Sequence, residues 1–205
     1  MTKKLQSIIN KLAPVTALAA VILIWFICCD FEWVPAYMLP SPMDVAKAFF
    51  GNFTVMMKQA AYTLQEAVYG LGAGIVLAFI AAALMDRFSF IYKAIYPVLI
   101  ITQTIPVIAV APLLVLWMGF GMAPKITLVV ITTFFPISIG LLDGFKSAGK
   151  DEINMLRSMG ANRLHIFRHV KLPSAASSFF SGLKISASYA VVGAVISEWL
   201  GGFNG

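Results

Sequence analysis

Long apolar stretches separated by short polar ones dominate the chain. Five of them approach the roughly 20 residues a helix needs to cross about 30 Å of hydrocarbon. They run from about Leu12 to Cys29, Tyr62 to Met85, Ile91 to Trp117, Ile126 to Leu142 and Ser174 to Ile196. None alternates with the period of two that marks a barrel strand, so the predicted spans are helical. The third span stands apart because Pro97, Pro106 and Pro112 interrupt it. Each interior proline removes a helix hydrogen bond and bends the axis. The expectation is an all-α polytopic membrane protein with a single transmembrane domain over residues 1–205.

The polar segments carry local signals of their own. In the segment 30–61, Ser41 is placed to cap a helix that has Pro42 at its first position. Val45, Ala46, Phe49 and Phe50 share one face of that helix, the pattern of an amphipathic helix lying on a membrane surface. In the segment 143–173, Ile153, Leu156 and Met159 recur at helical spacing, which predicts a helix over Lys150–Met159. Gly160 ends it. Asn162 caps a second short helix, and Leu172-Pro173 is expected to stop that helix, with Pro173 opening the next span. Leu164 and Phe167 are expected on one face, flanked by Arg163 and Arg168. Such a knob suits either a groove on a partner protein or anionic lipid headgroups.

Composition sharpens the class. The chain is 60% hydrophobic and 12% charged, against about 45–50% and 25% for soluble domains, and its mean hydropathy is +0.88. The net charge of +6 does not mark a nucleic-acid binder, because its distribution follows membrane topology. With the N-terminus (residues 1–11) in the cytoplasm, 12 of the 15 basic residues fall on or near the inner side, leaving Lys47, Lys58 and Lys125 outside. This obeys the positive-inside rule. Cys28-Cys29-Asp30 does not read as a cleavage site, so the first span is a retained anchor. Its adjacent cysteines read as membrane-packed thiols. Five spans leave the C-terminus outside at the start of what reads as an outer loop, so a last span is apparently missing.

Candidate chemistry is sparse. Gly70, Gly74, Ala78 and Ala82 form a small-residue stripe suited to close helix packing. Glu66 near the outer end of the same span reads as water-accessible or paired rather than as a proton relay. Gln103, Thr104 and Pro106 sit where the third span breaks. They line a translocation pathway or hydrogen-bond between helices, and both readings stay open. No catalytic motif is present. Gly144 to Asp151 matches G-x-x-x-x-G-K, but Asp151 replaces the hydroxyl residue that would hold magnesium. Nucleotide would therefore bind another subunit. His165 and His169 lack a third ligand, so no metal site is expected.

The spacing of Gly160, Val170 and Leu172-Pro173 resembles the "E-A-A, three residues, G, nine residues, I-x-L-P" loop of binding-protein-dependent ABC importer permeases. Asn154-Met155-Leu156 stands where that pattern has Glu-Ala-Ala. Leu39-Pro40-Ser41-Pro42, Thr63-Leu64 with Gly70, Pro106 to Gly121, and Glu198 are similar to the nitrate, sulfonate, taurine and thiamine-precursor branch. Thr102-Gln103-Thr104-Ile105-Pro106 leans toward the hydroxymethylpyrimidine members.

The resemblance implies a type I (MetI-like) helical bundle in the bacterial inner membrane, itself not an enzyme. A second permease copy, in a homodimer, would complete the pathway. A cytoplasmic ABC ATPase dimer would carry ATP and Mg. A periplasmic or lipid-anchored solute-binding protein would deliver a small polar or anionic solute. The coupling residues would be Gly160, Ala161, Asn162, Arg163, Leu164, Phe167, Arg168, Leu172 and Pro173. The alternative is a stand-alone channel or secondary transporter. Such a carrier should show inverted repeats and intramembrane charges, and no convincing repeat is visible.

Overall fold

The structure, a computed structural model, describes the backbone of residues 3–31 and 33–201 and the side chains of 12–31 and 33–200. The side chains of Lys3, Lys4, Lys11 and Glu32 and residues 202–205 lie outside the described residues, so they are not placed.

Two compact units divide the chain, Met1–Lys58 and Gln59–Gly205. In the first, α1 (Lys3–Asp30) contains Pro14, and α2 is Pro42–Gly51. Ser41 caps α2 as its sequence predicts, its Oγ accepting from the Asp44 N–H at 3.2 Å. The Trp25 indole N–H donates to the Pro40 carbonyl at 3.1 Å, and this bond ties α1 to the approach to α2.

The second unit is a helical bundle built on α3 (Phe53–Arg87) from Gln59 onward, α6 (Met122–Ser147) and α9 (Leu172–Gly201). Between α3 and α6 lie α4 (Ser89–Thr102) and α5 (Val107–Met118), and α7 (Lys150–Ser158) and α8 (Arg163–Ile166) follow α6. No strand occurs among the described residues. Among the described residues, four helices are long and apolar enough to span a membrane, and the α4–α5 pair brings the total to five if it counts as one broken span.

The core is assembled on small residues. Gly70 and Gly74 of α3 sit directly against Val129 and Thr133 of α6, while Ala78 and Ala82 are fully buried. Gly140 and Gly144 bring α6 onto the backbone of α9 at Ser178 and Ala175. Leu141, Leu142 and Phe145 close this core beside Met85 and Leu99.

The third span departs from the expectation of three interruptions. Pro97 and Pro112 stay inside helices. The chain breaks only around residues 103–106, where α4 and α5 meet at 104°. Thr102 and Thr104 donate their hydroxyls to the Leu99 and Ile101 carbonyls, each at 2.8 Å. Those bonds satisfy the closing carbonyls of α4, and Pro106 then forbids continuation. The pair still traverses the bundle. Tyr92 of α4 meets Lys146 at one end, and Ala111 and Leu114 of α5 pack on Leu128 toward the other.

Candidate functional site

Successive caps shape the segment between α6 and α9. Gly160, at φ 83°, enters the left-handed region that glycine tolerates best. The Ala161 N–H donates to the Leu156 carbonyl at 2.9 Å, and the Gly160 N–H to that of Arg157 at 3.0 Å. This pair is the Schellman closure of α7. Asn162 then caps α8, its Oδ1 accepting from the His165 N–H at 2.8 Å.

Two expectations need correction here. Leu172-Pro173 does not stop the second helix. α8 passes through a π-turn (Phe167–Lys171) into α9, with the Leu172 N–H bonded to the Phe167 carbonyl. The wider π-turn gives the Pro173 ring room and absorbs its missing donor. Nor do Leu164 and Phe167 form one knob. Phe167 packs inward on Phe145, ring centroids 5.2 Å apart, between buried Ile166 and Val170. Leu164, two residues before Ile166, lies on the far side of the helix and is 73% exposed. Gly160, Asn162, Arg163, Arg168 and Pro173 are exposed as well, while Ala161 and Leu172 are half-buried.

At the helix break, a cavity of about 600 Å³ opens between α4–α5, α6 and α9. Gln103 and Pro106 line it, joined by Thr102, Thr132 and Tyr189. Thr104 is not in that wall, because its hydroxyl turns back to the Ile101 carbonyl. Among the described residues, no charged side chain lines the cavity.

Polar ties join the helices near both ends of the bundle. Toward the start of α6, Lys125 Nζ pairs with Glu66 Oε1 at 2.9 Å, both side chains nearly inaccessible. Close by, the Thr63 hydroxyl donates to Glu198 at 2.8 Å. At the opposite end, Lys171 Nζ meets both Asp86 oxygens at 2.6 and 2.8 Å.

The Gly144-to-Asp151 stretch is helical through Ser147, and Gly144 packs against Ala175. It offers no phosphate-cradling loop. His165 and His169 stack with centroids 4.0 Å apart, and no cluster of three metal-ligating side chains occurs among the described residues.

Residues 74–205 match the family described as "Binding-protein-dependent transport system inner membrane component". The chain belongs to this family. It is the membrane-embedded permease subunit of an ABC importer for small solutes, and the stand-alone carrier reading is set aside. The family implies an ATPase and a binding protein as partners, with catalysis outside this subunit.

The permease is 34% identical to a probable ABC transporter permease of Haemophilus influenzae, over 96% of this chain and 80% of that one. It is 35% identical to the formylaminopyrimidine transport permease ThiX of Halalkalibacterium halodurans, over 96% and 78%. A taurine transport permease of Escherichia coli is 26% identical over 82% and 64%.

Sequence reasoning did not find the partner of Glu66, the Asp86–Lys171 pair, or the contribution of Thr132 and Tyr189 to the cavity. Tyr189 offered one signal, a lone aromatic hydroxyl among small and β-branched residues of an apolar span.

Proposed function

We propose that the permease works as a homodimer with residues 1–11 and 143–173 in the cytoplasm. The loop would dock a dimeric ABC ATPase that binds ATP and Mg, and the cavity at the α4–α5 break would pass a thiamine-precursor pyrimidine brought by the binding protein. One observation carries the coupling: α8, the π-turn and α9 form one continuous helical path, and α9 supplies Tyr189, Gly193 and Ile196 to the cavity wall. Displacement of α8 therefore reaches the pathway without an intervening hinge loop. The charge distribution supports the orientation.

The uncharged cavity supports the choice of solute. A sulfonate, taurine or nitrate there would leave an anion without a cation, which costs several kcal/mol. A neutral ring finds a flat apolar partner in Tyr189 and hydrogen-bonding groups in Gln103 and Thr132. The 35% identity to a formylaminopyrimidine permease points the same way.

Two experiments test this reading. Leu164→Asp should cut the amount of ATPase retained on affinity-purified permease at least ~10-fold, the loss of an exposed docking anchor. Equal retention by wild type and variant would overturn the docking. Tyr189→Ala should lower uptake of radiolabelled hydroxymethylpyrimidine by about tenfold in proteoliposomes holding the complete transporter, with Tyr189→Phe close to wild type. Uptake of taurine in preference to the pyrimidine would overturn the substrate assignment.

A further inference from the structure

Lys171 is the last residue of the π-turn, and Asp86 lies in the final turn of α3. Lys171 Nζ contacts both Asp86 carboxylate oxygens, and the two side chains are only 23% and 17% exposed. We infer that this ion pair is a positioning element that carries movement of the ATPase-coupling loop into α3. The inference rests on the proposed docking of that loop.

The helices need such a link unequally. α9 continues directly from α8 through the π-turn, so it follows the loop by covalent connection. Asp86 of α3 lies 85 residues from Lys171 along the chain; in space α3 meets the loop through apolar contacts around Met85 and Phe145 and through this pair. Apolar packing is non-directional and permits the small sliding of shear motions. A two-oxygen contact to an ammonium fixes one point of α3 to one point of the loop. The π-turn is also where the coupling helix has its widest, least regular hydrogen bonding, the kind of element often found at functional sites. Farther along α3, Glu66 is tied to Lys125 of α6, so α3 is fastened to the loop near one end and to α6 toward the other. A pull at Lys171 is thereby passed along α3, across the Gly70–Gly74 contact with α6.

Both side chains keep some access to water, so a charge left alone by a single substitution can still be solvated and the variants should fold. The test uses the complete transporter in nanodiscs, with its ATPase and binding protein. Asp86→Asn and Lys171→Met should each lower binding-protein-stimulated hydrolysis at least ~5-fold, the lower range of typical allosteric coupling. Unstimulated hydrolysis and ATPase retention should stay within about twofold of wild type. The swap Asp86→Lys with Lys171→Asp should restore stimulation. Hydrogen exchange on the permease alone is read in parallel, and Asp86→Asn should raise exchange across residues 163–171. Unchanged stimulation, loss of ATPase retention in the single variants, failure of the swap, or unchanged exchange overturns the linkage. If wild-type permease retains no ATPase, the docking reading fails by itself, and the exchange measurement still decides the pair.

Discussion

Lys125→Met should destabilise the permease by about 3 kcal/mol, whereas Lys125→Met combined with Glu66→Leu should cost much less, within about 1 kcal/mol. The pair lies at 2.9 Å with side-chain exposures of 5% and 2%, so Glu66 cannot turn to water when its cation is removed. Glu198, bound to Thr63, is close enough to interact with Glu66. The single variant therefore leaves the buried Glu66 carboxylate without the ammonium that balances it. Stranding one buried charge costs about 3–5 kcal/mol, while replacing a whole buried pair by apolar side chains is often neutral. Thermal unfolding in nanodiscs, followed by tryptophan fluorescence, measures both effects. A single variant no less stable than the double would show that Lys125 does not balance Glu66. The same pair fastens α3 to α6, so the single variant should also loosen that contact, visible as faster hydrogen exchange near residues 63–70.

Features set by neighbouring residues were readable in the sequence. Ser41, Gly160 and Asn162 each cap a helix end through bonds reaching only three to five residues, and their residue types announce those bonds. The stripe Gly70, Gly74, Ala78 and Ala82 was visible as a period of four. The break in the third span was foreseen at Pro106 but not distinguished from Pro97 and Pro112. What separates them is the pair of threonine hydroxyls that closes α4 just before Pro106. The ties between helices were out of reach. Glu66 and Lys125 lie 59 residues apart, Thr63 and Glu198 135, and Asp86 and Lys171 85. No local periodicity encodes which distant charge meets which. The inward packing of Phe167 was hidden for the same reason, since the ring it meets, Phe145, belongs to another helix.

Gly182→Ala should destabilise the bundle by about 2–3 kcal/mol, the upper part of the range for overpacking a well-packed core. A Cβ at position 182 would lie 2.5 Å from the Pro136 carbonyl oxygen and 3.4 Å from the Ile137 Cα. Both are backbone atoms, so no rotamer change can clear the space. Gly144→Ala should behave alike, because its Cβ would meet the Ala175 Cα at 2.5 Å. Gly72 is the control: nothing lies within 4 Å of a Cβ there. Gly72→Ala should be neutral or stabilising by up to about 1 kcal/mol, through helix propensity alone. Apparent unfolding midpoints in nanodiscs check the series, and equal effects at positions 72 and 182 would sink the close-contact argument. Close backbone approach at small residues is what holds membrane helices together when lipid is as apolar as leucine. It also leaves α6 and α9 little room to slide, with Gly140, Gly144 and Gly182 all seated on opposing backbone. Under the proposed coupling, α6 and α9 then move as one body behind α8. Gly182→Ala should lower binding-protein-stimulated hydrolysis along with stability, while Gly72→Ala changes neither.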